Sequence, residues 1–179
     1  NASVRERQRI IRNAAEMGSP EYRSTLMQAL EDRDPSIRAI AAGRMADVPG
    51  IDVRDALRTA LQDSAGKVRA AALEALRHDP GFDLASDVIP LLKDSYPPVR
   101  ASAARTLGRI RSPESVDPLI SALHDSTGYV RRRAVNALVS IGDTRAIDAL
   151  IQLKERERWL GRRYVTSSID EMRRQSLDI

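Results

Sequence analysis

Four aspartates and four arginines recur in this chain at one fixed interval. Asp32, Asp63, Asp94 and Asp125 stand 31 residues apart, and so do Arg38, Arg69, Arg100 and Arg131. Carboxylates repeated beside guanidiniums have the makings of an acid–base set. A forked donor facing a carboxylate is equally an ion pair held by two hydrogen bonds. The remaining supply of reactive groups is thin. The two histidines, His78 and His124, have no second ligand four residues away, and there is no cysteine. Neither an imidazole nor a thiolate metal site is spelled out. The chain has no glycine-rich phosphate loop and no Gly-x-Ser-x-Gly elbow. A second group is cationic: Arg105 and Arg109, then Arg132 and Arg133, then Arg162, Arg163 and Tyr164. Clustered arginines are suited to binding anionic partners.

The same interval runs through the apolar residues that must position these groups. Leu30, Leu61, Leu92 and Leu123 keep it, as do Ile37, Val68, Val99 and Val130, each just before a repeated arginine. Ala41, Ala72, Ala103 and Ala134 follow, then Met45, Leu76, Leu107 and Leu138. A period between about 20 and 50 residues marks a stacked-repeat architecture. Apolar spacings of three and four within each repeat predict two helices. The first helices fall at about 20–31, 51–62, 83–93, 113–124 and 144–156, and the second at about 35–47, 66–77, 97–110, 128–141 and 161–175. Ser19–Pro20–Glu21 and Ser112–Pro113–Glu114 are start signals, with a hydroxyl cap, a proline and an acid in the first turn. Pro90 and Pro118 fall inside first helices and are expected to kink them, because proline lacks the backbone donor.

The ends depart from the pattern. Residues 4–17 place Ile10, Ile11, Ala14 and Met17 on one face and read as the second helix of a truncated first repeat. The last unit has Lys154 in the Leu column, Arg156 in the Asp column and Gly161 in the Val column, as a capping repeat would. One domain over 4–175 is expected, with repeats at about 4–17 (half), 18–48, 49–79, 80–110, 111–141 and 142–175, and residues 1–3 as an expression scar. Aromatic residues make up only 3% of the chain and much of the apolar share is Ala and Leu, which suits close-packed helices better than sheets. Residues 1–96 hold 14 Lys and Arg against 15 Asp and Glu, whereas 97–179 hold 15 against 10. The excess positive charge lies in the C-terminal half. No apolar run reaches the roughly 18 residues of a membrane span, and a cytoplasmic location is the default expectation.

The pattern Leu-x-Asp-x4-Val-Arg-x2-Ala-x3-Leu, with Ser-Pro-Glu-Ser-Val-Asp-Pro-Leu-Ile in the preceding helix, resembles the HEAT-like repeat of phycobilisome lyases from about Val4 to Gln175. The resemblance implies an all-α, right-handed solenoid of about four and a half helical pairs, with second helices on the concave side. It also implies that Asp32, Asp63, Asp94 and Asp125 form a hydrogen-bonded ladder with Arg38, Arg69, Arg100 and Arg131 between repeats, a structural role. The same repeat serves bilin lyases, alkylpurine DNA glycosylases, an iron-dependent hydroxylase and many scaffolds. The hydroxylase's His–Glu dipeptides are absent here, since His78 precedes Asp79 and His124 precedes Asp125.

No catalytic residue, metal or cofactor is therefore expected. The outward columns of the second helices carry small residues in the middle repeats (Ala39, Ala70, Ala71, Ala101, Ser102) and arginine towards the C-terminus. The reading is a non-enzymatic scaffold that docks a protein or peptide, an acidic one at Arg105, Arg109, Arg132, Arg133, Arg162, Arg163 and Tyr164. The alternative is a nucleic-acid-binding or base-excising domain on the same basic surface.

Overall fold

The computed structural model describes residues 3–17, 20–48, 51–77, 85–156 and 162–177, and these are helical apart from short connections. The chain forms two compact units, 1–82 and 83–179. The first contains α1 (Val4–Met17), α2 (Pro20–Leu30), α3 (Pro35–Arg44), α4 (Ile51–Ala60) and α5 (Gly66–Leu76). The second contains α6 (Ala85–Val88), α7 (Pro97–Ile110), α8 (Val116–Ala122), α9 (Gly128–Ile141), α10 (Ala146–Arg156) and α11 (Arg162–Leu177). Each unit is a two-layer stack. In the first, α1, α3 and α5 pack in one row and α2 against α4 in the other; in the second, the rows are α7, α9, α11 and α8, α10.

The repeated columns make the core. Met45, Leu76, Leu107 and Leu138 are all buried, as are Ala41, Ala72, Ala103 and Ala134. Truncating one such leucine, Leu107→Ala, is worth about 2–5 kcal/mol by analogy with other cores. The prolines act as expected of a missing donor. Around Pro90 the short α6 gives way to a 3-10 helix, Ile89–Lys93, and α8 starts only after the 3-10 turn Pro113–Ser115, with Pro118 in its first turn. Helices α7 and α9 end at the same register, on Arg111 (φ 56°) and Gly142 (φ 77°). Only glycine adopts that conformation without strain. Gly18–Ser19, Pro49–Gly50 and Pro80–Gly81 lie outside the described residues.

Two apolar residues are less buried than their columns imply. On α1, Ile11 is 2% exposed but its neighbour Ile10 is 53% exposed. A helix buries only the arc its neighbours cover, and α2 and α3 both lie to the Ile11 side. The side chains of Ala14 and Met17 lie outside the described ones. Leu30 is only half-buried, although Leu61, Leu92 and Leu123 are buried.

The charged columns join neighbouring repeats. Each aspartate first organises its own loop: Asp32, Asp63, Asp94 and Asp125 accept, through Oδ1, the backbone N–H two residues on, at 2.8 Å. Such Asx turns hold the chain just ahead of the second helix. Each arginine is then pinned to the same loop. Arg38, Arg69, Arg100 and Arg131 donate from Nη1 to the carbonyl of the aspartate six residues back, at 2.8, 2.6, 2.8 and 2.8 Å. The other edge of the guanidinium reaches forward. Arg38 grips Asp63 at 2.7 Å (Nε) and 2.9 Å (Nη2), and Arg100 grips Asp125 at 2.5 and 2.9 Å. Arg7 does the same to Asp32 at 2.7 and 3.2 Å. Arg7 stands 31 residues before Arg38, so the arginine column begins one repeat earlier than the four copies counted from the sequence.

At the α7–α9 crossing, a Cβ on Gly108 would lie 2.7 Å from Ala137 Cα and 2.9 Å from its Cβ, whereas one on Gly43 would meet nothing within 4 Å. Gly108→Ala is expected to destabilise by about 1–3 kcal/mol, because backbone must move. Gly43→Ala should stabilise by about 0.5–1 kcal/mol through helix propensity. Thermal melts of the two variants check the opposite signs. The ladder is open to a test by acid. The Arg38 hydrogen bond holds the Asp63 carboxyl below its usual range; burial opposes this and the Ala65 N–H adds to it. A carboxylate with a depressed folded pKa contributes stability that is complete above the unfolded value near 3.9 and is lost as pH falls through the folded one. Arg38→Gln should therefore cost about 1–3 kcal/mol at pH 7 and flatten the fall in melting temperature below about pH 4. An unchanged melt would mean that the pair carries no stability.

Candidate functional site

The helical repeat decides which side chains of α9 face outward. Val130, Ala134, Val135, Ala137 and Leu138 are buried, which leaves Tyr129, Arg132, Arg133, Asn136 and Ser140 as a stripe at spacings of three and four. Tyr129 is 52% exposed. The Arg133 guanidinium lies 4.9 Å from the centre of the Tyr129 ring and donates from Nη2 to the hydroxyl at 2.7 Å. A cation held over an aromatic face is fixed in place without losing its charge.

On α11, Val165, Ser168, Ile169 and Met172 are buried, so Arg163, Tyr164 and Ser167 turn towards the same side as the α9 stripe. The Tyr164 hydroxyl donates to Asn136 Oδ1, tying the two helices together. Burial pushes the Tyr164 hydroxyl above its usual pKa, while the charges of Arg132 and Arg133 pull it back. That opposing influence marks both arginines as neighbours of the Tyr164 oxygen. On α7, Arg105 is half-buried and Arg109 is exposed.

Arg109, Arg132 and Arg163 have no carboxylate partner among the described residues. Unpaired guanidiniums in water keep their full donor fork available to an incoming anion. The structure thus brings Arg132, Arg133, Arg163 and Tyr164 into one surface, with Arg105 and Arg109 on the adjoining helix. The Arg162 side chain, like Trp159 and His78, lies outside the described residues. Arg162 also stands 31 residues after Arg131, in the ladder column and not in an outward one.

The expected floor of small residues needs correction at one position. Ala101 is 2% exposed, since it shares the α9-facing edge of α7 with Gly108, where the helices approach most closely. Tyr129 was not among the expected residues, and its signal was its place four residues before Arg133 on one helical face. His124 is exposed, and no group of three or more His, Asp or Glu among the described residues could hold a metal ion. Among the described residues no helix is long and apolar enough to cross a membrane.

The comparisons with known proteins agree on the fold. The family model of the HEAT repeats matches residues 1–77 and 85–170. No curated protein matches the chain. Among solved structures, the complex of CpcE and CpcF of phycocyanin lyase from Nostoc sp. PCC7120 aligns with a TM-score of 0.69 at 23% identity. That alignment covers 82% of this chain and 61% of that one, so this chain spans about three fifths of its relative. A designed armadillo repeat protein in complex with the peptide (KR)4 aligns with a TM-score of 0.66 at 17% identity, covering 92% and 90%. Computationally designed armadillo repeat proteins for modular peptide recognition align at 0.64 and 17%, covering 95% and 93%.

Proposed function

We propose, for a chain that belongs to the HEAT-repeat family, a binding scaffold without catalysis that docks an acidic segment of a protein partner on the second-helix face of residues 83–179. The observation that carries this reading is the set of three exposed arginines, Arg109, Arg132 and Arg163, with no carboxylate of their own among the described residues. Beside them, Arg133 is held ready on Tyr129, and Tyr164 is anchored to Asn136. Each guanidinium offers two parallel donors that match a carboxylate. Stacked pairs place such donors at successive steps, and an extended segment crossing the helices would meet them in turn. A designed armadillo relative holds a peptide of lysine and arginine. The arginine face of this chain carries the same sign of charge as that peptide, so the partner it suits is acidic.

Affinity for a fluorescent peptide of alternating Asp and Glu, and for duplex DNA, should be measured by anisotropy across a salt series. The comparison is wild type against Arg132→Glu/Arg163→Glu, two exposed positions whose reversal leaves the core intact. The peptide is expected to bind the wild type and to lose at least about tenfold in the variant, or about 1.4 kcal/mol. DNA binding tighter than peptide binding, falling steeply with salt through counterion release, would transfer the surface to nucleic acid. Absence of binding by the wild type to either probe would overturn the assignment.

A further inference from the structure

In residues 1–82 the last turns of α2 and α4 leave an open groove of about 440 Å³ between them. That volume falls within the range of sites that hold a small ligand or a large side chain. Its walls are Met27 and Leu30 from α2 and Ala56 and Ala60 from α4, and Glu31 and Asp63 stand where the helices end. The groove explains the half-burial of Leu30. At the register of Ala56 the later repeats have Asp87, Pro118 and Ala149.

The charged side chains of the groove are all acidic. No lysine or arginine lines it. Asp63 is already satisfied by Arg38 and the Ala65 N–H. Glu31 is exposed and has no partner among the described residues. The last turns of α2 and α4 line the groove together with Val68 from the first turn of α5, so helix ends of both signs meet there. An apolar trough closed by an unpaired carboxylate, with no cation on its walls, is complementary to an alkyl chain that carries a positive charge.

We propose that this groove docks a partner protein through an apolar side chain set one helical turn from a lysine or arginine, the apolar group lying against Met27, Leu30, Ala56 and Ala60 and the cation meeting Glu31. The site is separate from the arginine face: it lies in the other unit and selects the opposite charge.

The methionine methyl groups provide the measurement. Met27 lines the groove, whereas Met45 and Met172 are buried in the core and serve as internal references. Protein labelled at the methionine methyls should be titrated with hexylammonium, hexanol and hexanoate and followed by NMR. The Met27 signal is expected to move saturably with hexylammonium, several-fold more weakly with hexanol, and not with hexanoate, while Met45 and Met172 stay in place. Glu31→Gln should reduce the ammonium to the level of the alcohol, and Ala56→Leu should abolish the responses to both hexylammonium and hexanol. A helical peptide with leucine and lysine four residues apart should compete with hexylammonium, and its Leu→Ala version should not. A Met27 signal indifferent to hexylammonium, a response unchanged in Ala56→Leu, equal binding of hexanoate, or a peptide that fails to compete would each overturn the proposal.

Discussion

The constraint on which the rest of this structure depends is the reach of one guanidinium. An arginine such as Arg38 is tied by Nη1 to its own loop and by Nε and Nη2 to the aspartate 25 residues ahead. The aspartate is in turn locked to its loop by a backbone N–H. One planar group thereby fixes the distance and rotation between two successive inter-helix loops. In the rungs Arg7–Asp32, Arg38–Asp63 and Arg100–Asp125 alike, 25 residues separate the arginine from the aspartate it grips. The pairs are only partly exposed, with side-chain accessibilities between 8% and 21%. Desolvation offsets much of the attraction in such places. The rung therefore contributes more to register than to net stability, which comes mainly from the buried leucine and alanine columns.

The period carried nearly all of the fold into legible form. Columns of Leu, Val and Ala at 31-residue spacing gave the helices, their order and their buried faces, because each repeat solves the same packing problem. What was not legible depends on neighbours in space. Ile10 and Ile11 look alike in sequence, and only the position of α2 and α3 decides that one is buried and the other is not. Ala101 belongs to an outward column in an ideal repeat, yet the glycine at 108 draws α9 close enough to cover it. Leu30 keeps its column yet is only half-buried, at the edge of the groove between α2 and α4. Arg7 is legible in principle, one period before Arg38, but no aspartate stands ahead of it to mark its repeat. The arginines of the candidate site were visible as charge, but their state was not. That Arg133 rests on Tyr129, and that Asn136 receives the Tyr164 hydroxyl, depends on side-chain directions that spacing alone only suggests.

Arginine plays two roles here, separated by its surroundings. In the ladder, all three nitrogens of Arg38 and of Arg100 are committed to a carboxylate and to loop carbonyls, and Arg131 is tied to its loop carbonyls. On the outward stripes, Arg132 and Arg163 have no such commitments among the described residues. Adjacent positions in the sequence, Arg131 and Arg132, fall on opposite sides of this division because a helix turns about 100° per residue. A cation tied to its loop and a cation open to solvent are thus encoded side by side.

Backbone meets backbone where α7 crosses α9 at Gly108 and Ala137. Two helices in contact there have no long side chains between them to slide or roll upon, and interiors packed this closely transmit strain instead of absorbing it. Arg105 and Arg109 on one helix and Arg132 and Arg133 on the next are therefore mounted on a single stiff plate. In the other layer of the same unit the helices are shorter, with a 3-10 segment around Pro90 and a 3-10 turn ahead of α8. The spacing between the arginines of α7 and those of α9 is therefore set by backbone contact and not by the side chains between them.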